Sequence, residues 1–108
     1  MELKRILVGL ENLKVKGNLD TEIKGIAKSS NEVKEGYLFV AIKGFTVDGH
    51  NFIEDAIKNG ATAVMVEEGC DLKSIKFKED TIIIMAKSTR EGLAIVSSNF
   101  YNNPSTKF

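Results

Sequence analysis

Residues 36–50 read GYLFVAIKGFTVDGH. An apolar run from Tyr37 to Ile42 stops at Lys43-Gly44, and the chain then passes through Asp48-Gly49-His50 into a segment of helical periodicity. A buried strand needs no such ending for its own stability. In open α/β sheets, ligands settle beyond the carboxyl ends of parallel strands, where backbone N–H groups and helix N-termini converge. The loop at 43–49 occupies that place. Gly44 and Gly49 would let backbone approach a ligand closely, and glycines also serve as ordinary loop punctuation. A second polar segment, KSSNEVKEG at 28–36, leads into the same strand from its other end.

Other candidate chemistry is sparse. His50 is the only histidine, and a base or metal ligand needs oriented partners that the sequence does not identify, so a first-turn structural role outweighs ligand contact. Cys70 lies between Glu67-Glu68-Gly69 and Asp71, and flanking acids disfavour the thiolate a nucleophile requires. There is no GxxxxGK[ST] phosphate loop, no GxGxxG and no HExxH.

The elements that must position these loops follow from periodicity. Leu3, Ile6, Leu7 and Leu10 recur at helical spacing, predicting a short amphipathic helix. Gly17-Asn18 marks a turn between two short strands, near 13–16 and 22–27. The run at 37–42 is apolar on both faces and predicts a central strand. Phe52, Ile53, Ala56 and Ile57 form one helix face that ends at Asn59-Gly60, with Asp48 as its N-cap. Residues 61–66 predict a further strand, making a β–loop–α–β unit whose crossover is right-handed between parallel strands. The charged stretch 67–80 reads as a solvated loop, and 81–86 as another strand. Ser88-Thr89-Arg90-Glu91 has capping-box spacing and opens a helix to about Tyr101, with Leu93, Val96 and Phe100 inward. The class is α/β: a three-layer α/β/α domain with a mixed, centrally parallel sheet of about five strands.

Composition sets the outer limits. A chain of 108 residues, 43% hydrophobic and 28% charged, forms one domain with a core of its own. Fifteen basic and fifteen acidic side chains cancel, so no bulk field draws it to nucleic acid or anionic membrane, and an anionic ligand must be held by local donors. One cysteine excludes an internal disulfide and suits a reducing compartment. No apolar run approaches the ~20 residues of a membrane span, and the opening MELKRILVGLENLK lacks a signal-peptide core. A soluble cytoplasmic domain is expected.

SSNEVKEGYLFVAIKGFTVDGHNFIEDAIKNGATAVMVEE closely resembles the N-terminal domain of the Mur ligases, which extend the cell-wall precursor peptide. The family pattern is matched through Gly36, Leu38-Phe39-Val40-Ala41, Gly44, Asp48-Gly49-His50, Gly60-Ala61, Ala63-Val64 and Glu67. The opening and the Gly-Phe-Thr-Val-Asp-Gly-His loop look more like the MurE type, which adds the third residue, than like the ligase adding D-alanyl-D-alanine. The resemblance implies that this domain holds the uridine-diphosphate end of UDP-N-acetylmuramoyl-L-alanyl-D-glutamate. Ser30 matches the family serine that contacts the UDP-sugar. Phe45, Thr46 and Val47 match the positions bordering uracil, where Phe45 could stack and Thr46 could donate a hydrogen bond. Lys28 aligns with a position that contributes its main chain, and its ammonium could approach a phosphate. Where the family has Asp-Ser-Arg, this chain has Ser29-Ser30-Asn31, so a carboxylate and a guanidinium are absent together. A turn hydroxyl satisfied by its own backbone is the plainer reading of Ser30.

The resemblance also implies what lies elsewhere. In the family this domain leads into a central ATPase domain carrying a Gly-Thr-Asn-Gly-Lys-Thr loop, and ATP and magnesium act there. This chain stops at Phe108, before such a loop, so it is expected to bind substrate and not to ligate, with no catalytic residue, metal site or cofactor of its own. A non-catalytic α/β interaction module without a nucleotide role is the alternative from another class. An RNA-binding module is disfavoured by the zero net charge.

Overall fold

The computed structural model describes residues 1–42, 49–69, 72–73 and 75–101. The elements in chain order are α1 (Leu3–Ile6), β1 (Lys14–Lys16), β2 (Gly25–Ala27), β3 (Tyr37–Val40), α2 (Ile53–Lys58), β4 (Ala63–Glu67), β5 (Ile82–Ala86) and α3 (Thr89–Tyr101). Short 3₁₀ turns at Ser30–Glu32 and Gly49–Phe52 precede β3 and α2.

The strands form one sheet in the order β1-β5-β4-β3-β2. β2, β3, β4 and β5 are parallel, and β1 runs antiparallel at the edge beside β5. The mixed, centrally parallel five-stranded sheet is therefore the one expected. The parallel strands progress across the sheet in chain order, as short connections between successive strands require.

Because β3 and β4 are covered on both faces, their residues are apolar without alternation. Leu38, Val40, Ala63 and Met65 face α1 and α3, packing with Leu3, Ile6 and Val96. Phe39, Ala41, Val64 and Val66 face the other way, against Ile53, Ala56 and Ile57 of α2. The two apolar clusters make three layers. Next to the edge strand β1, β5 alternates: Ile82, Ile84 and Ala86 are buried, while Ile83 and Met85 are half-buried. Among the described residues no helix is long and apolar enough to cross a membrane.

Several boundaries differ from expectation. The strand at 22–27 shortens to Gly25–Ala27 and the one at 37–42 to Tyr37–Val40, although the Ala41 N–H still donates to the Met65 carbonyl at 2.9 Å. β1 and β2, joined through the Gly17-Asn18 turn, lie at opposite edges of the sheet and do not pair. Met1 and Leu3 bond instead to Ile23 and Thr21, so α1 is held beside the chain entering β2. The segment after β4 is not simply solvated. Leu72, Ile75 and Phe77 turn onto the second core, while Lys73, Lys76 and Lys78 stay exposed.

Candidate functional site

The four parallel strands direct their carboxyl ends to one edge of the sheet. β2 ends there at Ala27 and continues into Lys28, Ser29 and Ser30; β3 continues past Val40 into Ala41 and Ile42. Register keeps the edge level, with Ala27 opposite Phe39, Val40 opposite Met65, and Glu67 opposite Ala86. Residues 43–48 join Ile42 to the 3₁₀ turn that opens α2. Phe45, Thr46 and Val47, and the proposed N-cap Asp48, lie outside the described residues, as does Cys70. α2 itself begins later than expected, at Ile53, with Phe52 in the N-cap position and no side-chain cap.

α3 also starts at this edge. Its first donors are already engaged: the Thr89 N–H donates to Glu67 Oε1 at 3.3 Å, and the Glu91 N–H to Ser88 Oγ at 3.4 Å. The second bond is the expected capping-box contact from Ser88. A carboxylate on the positive end of a helix satisfies orphan donors and offsets their partial charge. An anion arriving at α3 would compete with Glu67, so the β2–β3 end of the edge is the better place for one. Replacing Glu67 with alanine is expected to lower stability by about 1–2 kcal/mol, the usual scale of a lost helix cap. Urea denaturation of the two proteins would show it, and a change within experimental error would remove Glu67 as the anchor of α3.

At the β2–β3 end, Lys28 is exposed and Ser30 is buried, with 9% of its surface accessible. The plainer reading of Ser30 assigns its hydroxyl to its own turn. Ser29 is the N-cap of the turn at Ser30–Glu32, with extended backbone and no capping hydrogen bond to its side chain. The backbone carries the turn, with the Glu32 N–H donating to the Ser29 carbonyl at 3.0 Å and the Val33 N–H to the Ser30 carbonyl at 3.3 Å. The Ser30 carbonyl also accepts a 2.7 Å hydrogen bond from Asn59 Nδ2, at the far end of α2. Lys28 follows Ala27 at the carboxyl end of β2, beside the strand that leads into 43–48, while Ser30, two residues further on, is tied to the C-terminal end of α2.

Two contacts escaped sequence reasoning. Glu67 was visible as a matched family position but not as the cap of α3, because its partner lies 22 residues away. Asn59 was visible only as part of a helix stop. Its bond to Ser30 spans 29 residues and leaves no local signal.

The comparisons with known proteins point one way. The model described as "Mur ligase family, catalytic domain" matches residues 22–101. A UDP-N-acetylmuramoyl-L-alanyl-D-glutamate–2,6-diaminopimelate ligase of Clostridioides difficile is 44% identical over all 108 residues, which cover 21% of that protein. The ligase of the same name from Clostridium perfringens is 42% identical over 107 residues, again 21% of its length. Among solved structures, a MurF of Acinetobacter baumannii superimposes with TM-score 0.72 over 96% of this chain and 21% of its own, at 20% identity, a likeness of fold alone. Thermotoga maritima MurF in complex with ADP is 32% identical with TM-score 0.55, over 77% of this chain and 17% of its own. The chain thus spans about a fifth of the length of these relatives.

Proposed function

This chain belongs to the Mur ligase family, and on that premise we propose that it is the part of a peptidoglycan-precursor ligase that anchors the uridine-diphosphate end of the substrate. The substrate is UDP-N-acetylmuramoyl-L-alanyl-D-glutamate, and the parent enzyme adds diaminopimelate in the cytoplasm. What supports this is that Lys28 and Ser30 lie in the segment leaving the carboxyl end of β2, whose neighbour β3 leads on toward 43–48. The names of the 42–44% identical relatives favour the third-residue ligase over the D-alanyl-D-alanine-adding one.

In this reading ATP and magnesium act in the central domain of the parent enzyme. The contribution of the domain is positional. Holding a remote, non-reacting part of a substrate fixes where its reacting carboxylate sits, which lowers the entropic cost of reaching a productive geometry. In this reading the Ser30 hydroxyl donates to or accepts from the nucleotide, the Lys28 ammonium lies near the diphosphate, and Phe45, Thr46 and Val47 border the uracil. The central ATPase domain of the parent is the partner that completes the active site.

An amide NMR titration with UDP, then with UDP-N-acetylmuramic acid, tests this. Saturable shifts centred on Lys28–Asn31 and Gly44–Gly49 are expected, with a dissociation constant between about 1 μM and 1 mM for a site holding one end of its ligand. Binding that leaves both segments unmoved would place the ligand elsewhere and sink the residue assignment. An absence of binding at millimolar ligand would favour a non-nucleotide interaction module.

A further inference from the structure

We propose that Asn59 is a positioning residue for the nucleotide site, acting through Ser30; the inference rests on the proposed function above. Residues 28–36 form the crossover that carries the chain from the end of β2 back to the start of β3. The crossover contains one 3₁₀ turn, which the Ser29 side chain does not cap. Within it, the Val33 N–H reaches the Ser30 carbonyl at 3.3 Å, whereas Asn59 Nδ2 reaches the same oxygen at 2.7 Å. The shorter bond comes from another element. A second tie, the Gly36 N–H to the Gly60 carbonyl at 3.0 Å, fastens the end of the crossover to the same α2–β4 turn.

The consequence lies in what α2 joins. Its N-terminal side receives residues 43–48 through the turn at Gly49–Phe52, and its C-terminal side holds Ser30 through Asn59. Ser30 is therefore referenced to a helix that is locked to the sheet by the fully buried Ile53 and Ala56, and Asn59 sets where Ser30 stands relative to it.

The chemistry allows a clean separation. Asn59 is the C-cap of α2 in an ordinary right-handed conformation, φ −79°, so any residue can occupy it. Its N–H bonds to the Asp55 carbonyl at 3.0 Å through backbone and survives substitution. Its side chain is exposed and contributes nothing to either apolar cluster. Asn59→Leu, of similar size, removes only the carboxamide.

The test is a double-mutant cycle read as UDP affinity, with Asn59→Leu introduced into the native chain and into Ser30→Ala. Residues that act through one another give non-additive effects, whereas independent sites add. In the native background the substitution is expected to weaken UDP binding about threefold to tenfold, the scale of one hydrogen bond. In the Ser30→Ala background it is expected to change affinity less than about twofold. Thermal denaturation of each protein records any structural loss separately, and Asn59→Ala repeats the cycle if Asn59→Leu folds poorly. An equal loss in both backgrounds, or none in the native one, overturns the role of Asn59 and leaves the proposed function standing. If the native chain binds no UDP at all, the proposed function fails and this inference with it.

Discussion

Phe39→Ala is expected to destabilise the domain by about 3–5 kcal/mol, the range for truncating a fully buried aromatic side chain. Phe39 has no accessible surface and sits in β3, with β2 on one side and β4 on the other. Its ring packs in the cluster of Ile53, Ala56, Ile57, Val64 and Val66. Those neighbours belong to a helix and a strand already packed elsewhere, so they cannot close over the space the ring leaves. Part of the cost is lost transfer energy, and the rest is the persisting cavity. Against a total stability of about 5–15 kcal/mol for a domain of this kind, that is a large fraction. At about 4–8 °C per kcal/mol, the melting temperature should fall by more than about 12 °C. Calorimetry on the two proteins decides it. A loss below about 1 kcal/mol would mean that the site collapses around alanine, contrary to the rigidity argued here. The effect would also reach the candidate site, because β3 runs directly into 43–48.

Gly60→Ala is expected to cost about 2–4 kcal/mol, combining left-handed strain with a steric clash. Gly60 has φ +119°, a region that L-residues rarely enter. A Cβ placed there would stand 2.6 Å from the Cα of Glu35 and 2.7 Å from its nitrogen. The obstacle is backbone, so the crossover itself must move. Gly92 offers the contrast: there an added Cβ meets the Met65 Sδ at 2.6 Å, the far part of a flexible side chain. Gly60→Ala should therefore destabilise more than Gly92→Ala, as urea midpoints would show. Equal costs would mean that the crossover yields easily. Because Gly36 bonds to the Gly60 carbonyl, the displacement should also shift the amides of Ser30–Val33.

How much of this was legible in the sequence depends on how local each cause is. The apolar runs around Leu38, Val64 and Ile84 announce strands because burial on two faces removes any need for alternation. Asn59-Gly60 announces a helix stop because only glycine enters that conformation without strain, and Gly60 does so at φ +119°. Ser88 announces the start of α3 because its hydroxyl is in reach of the Glu91 N–H. The delayed start of α2 was not legible, since a capping carboxylate and a 3₁₀ turn before a helix leave similar traces. Nor was the inward turn of Leu72, Ile75 and Phe77, which are spaced irregularly among lysines. Of the candidate site, the position of Lys28 and Ser30 at a strand end could be read from the order of elements. Their possible contact with a nucleotide came from the resemblance.

By itself, then, the sequence determined the element types, the parallel centre, the glycine stop of α2, the cap of α3 and the family. Each follows from burial, backbone sterics or side-chain reach over a few residues, or from many matched positions at fixed spacing. Only the tertiary structure decided that β1 crosses to the far edge beside β5, that Glu67 meets Thr89, and that Asn59 holds Ser30. Three-residue strands have too little pairing of their own to choose a neighbour. A hydrogen bond across 22 or 29 residues exists only after the sheet has brought its ends together.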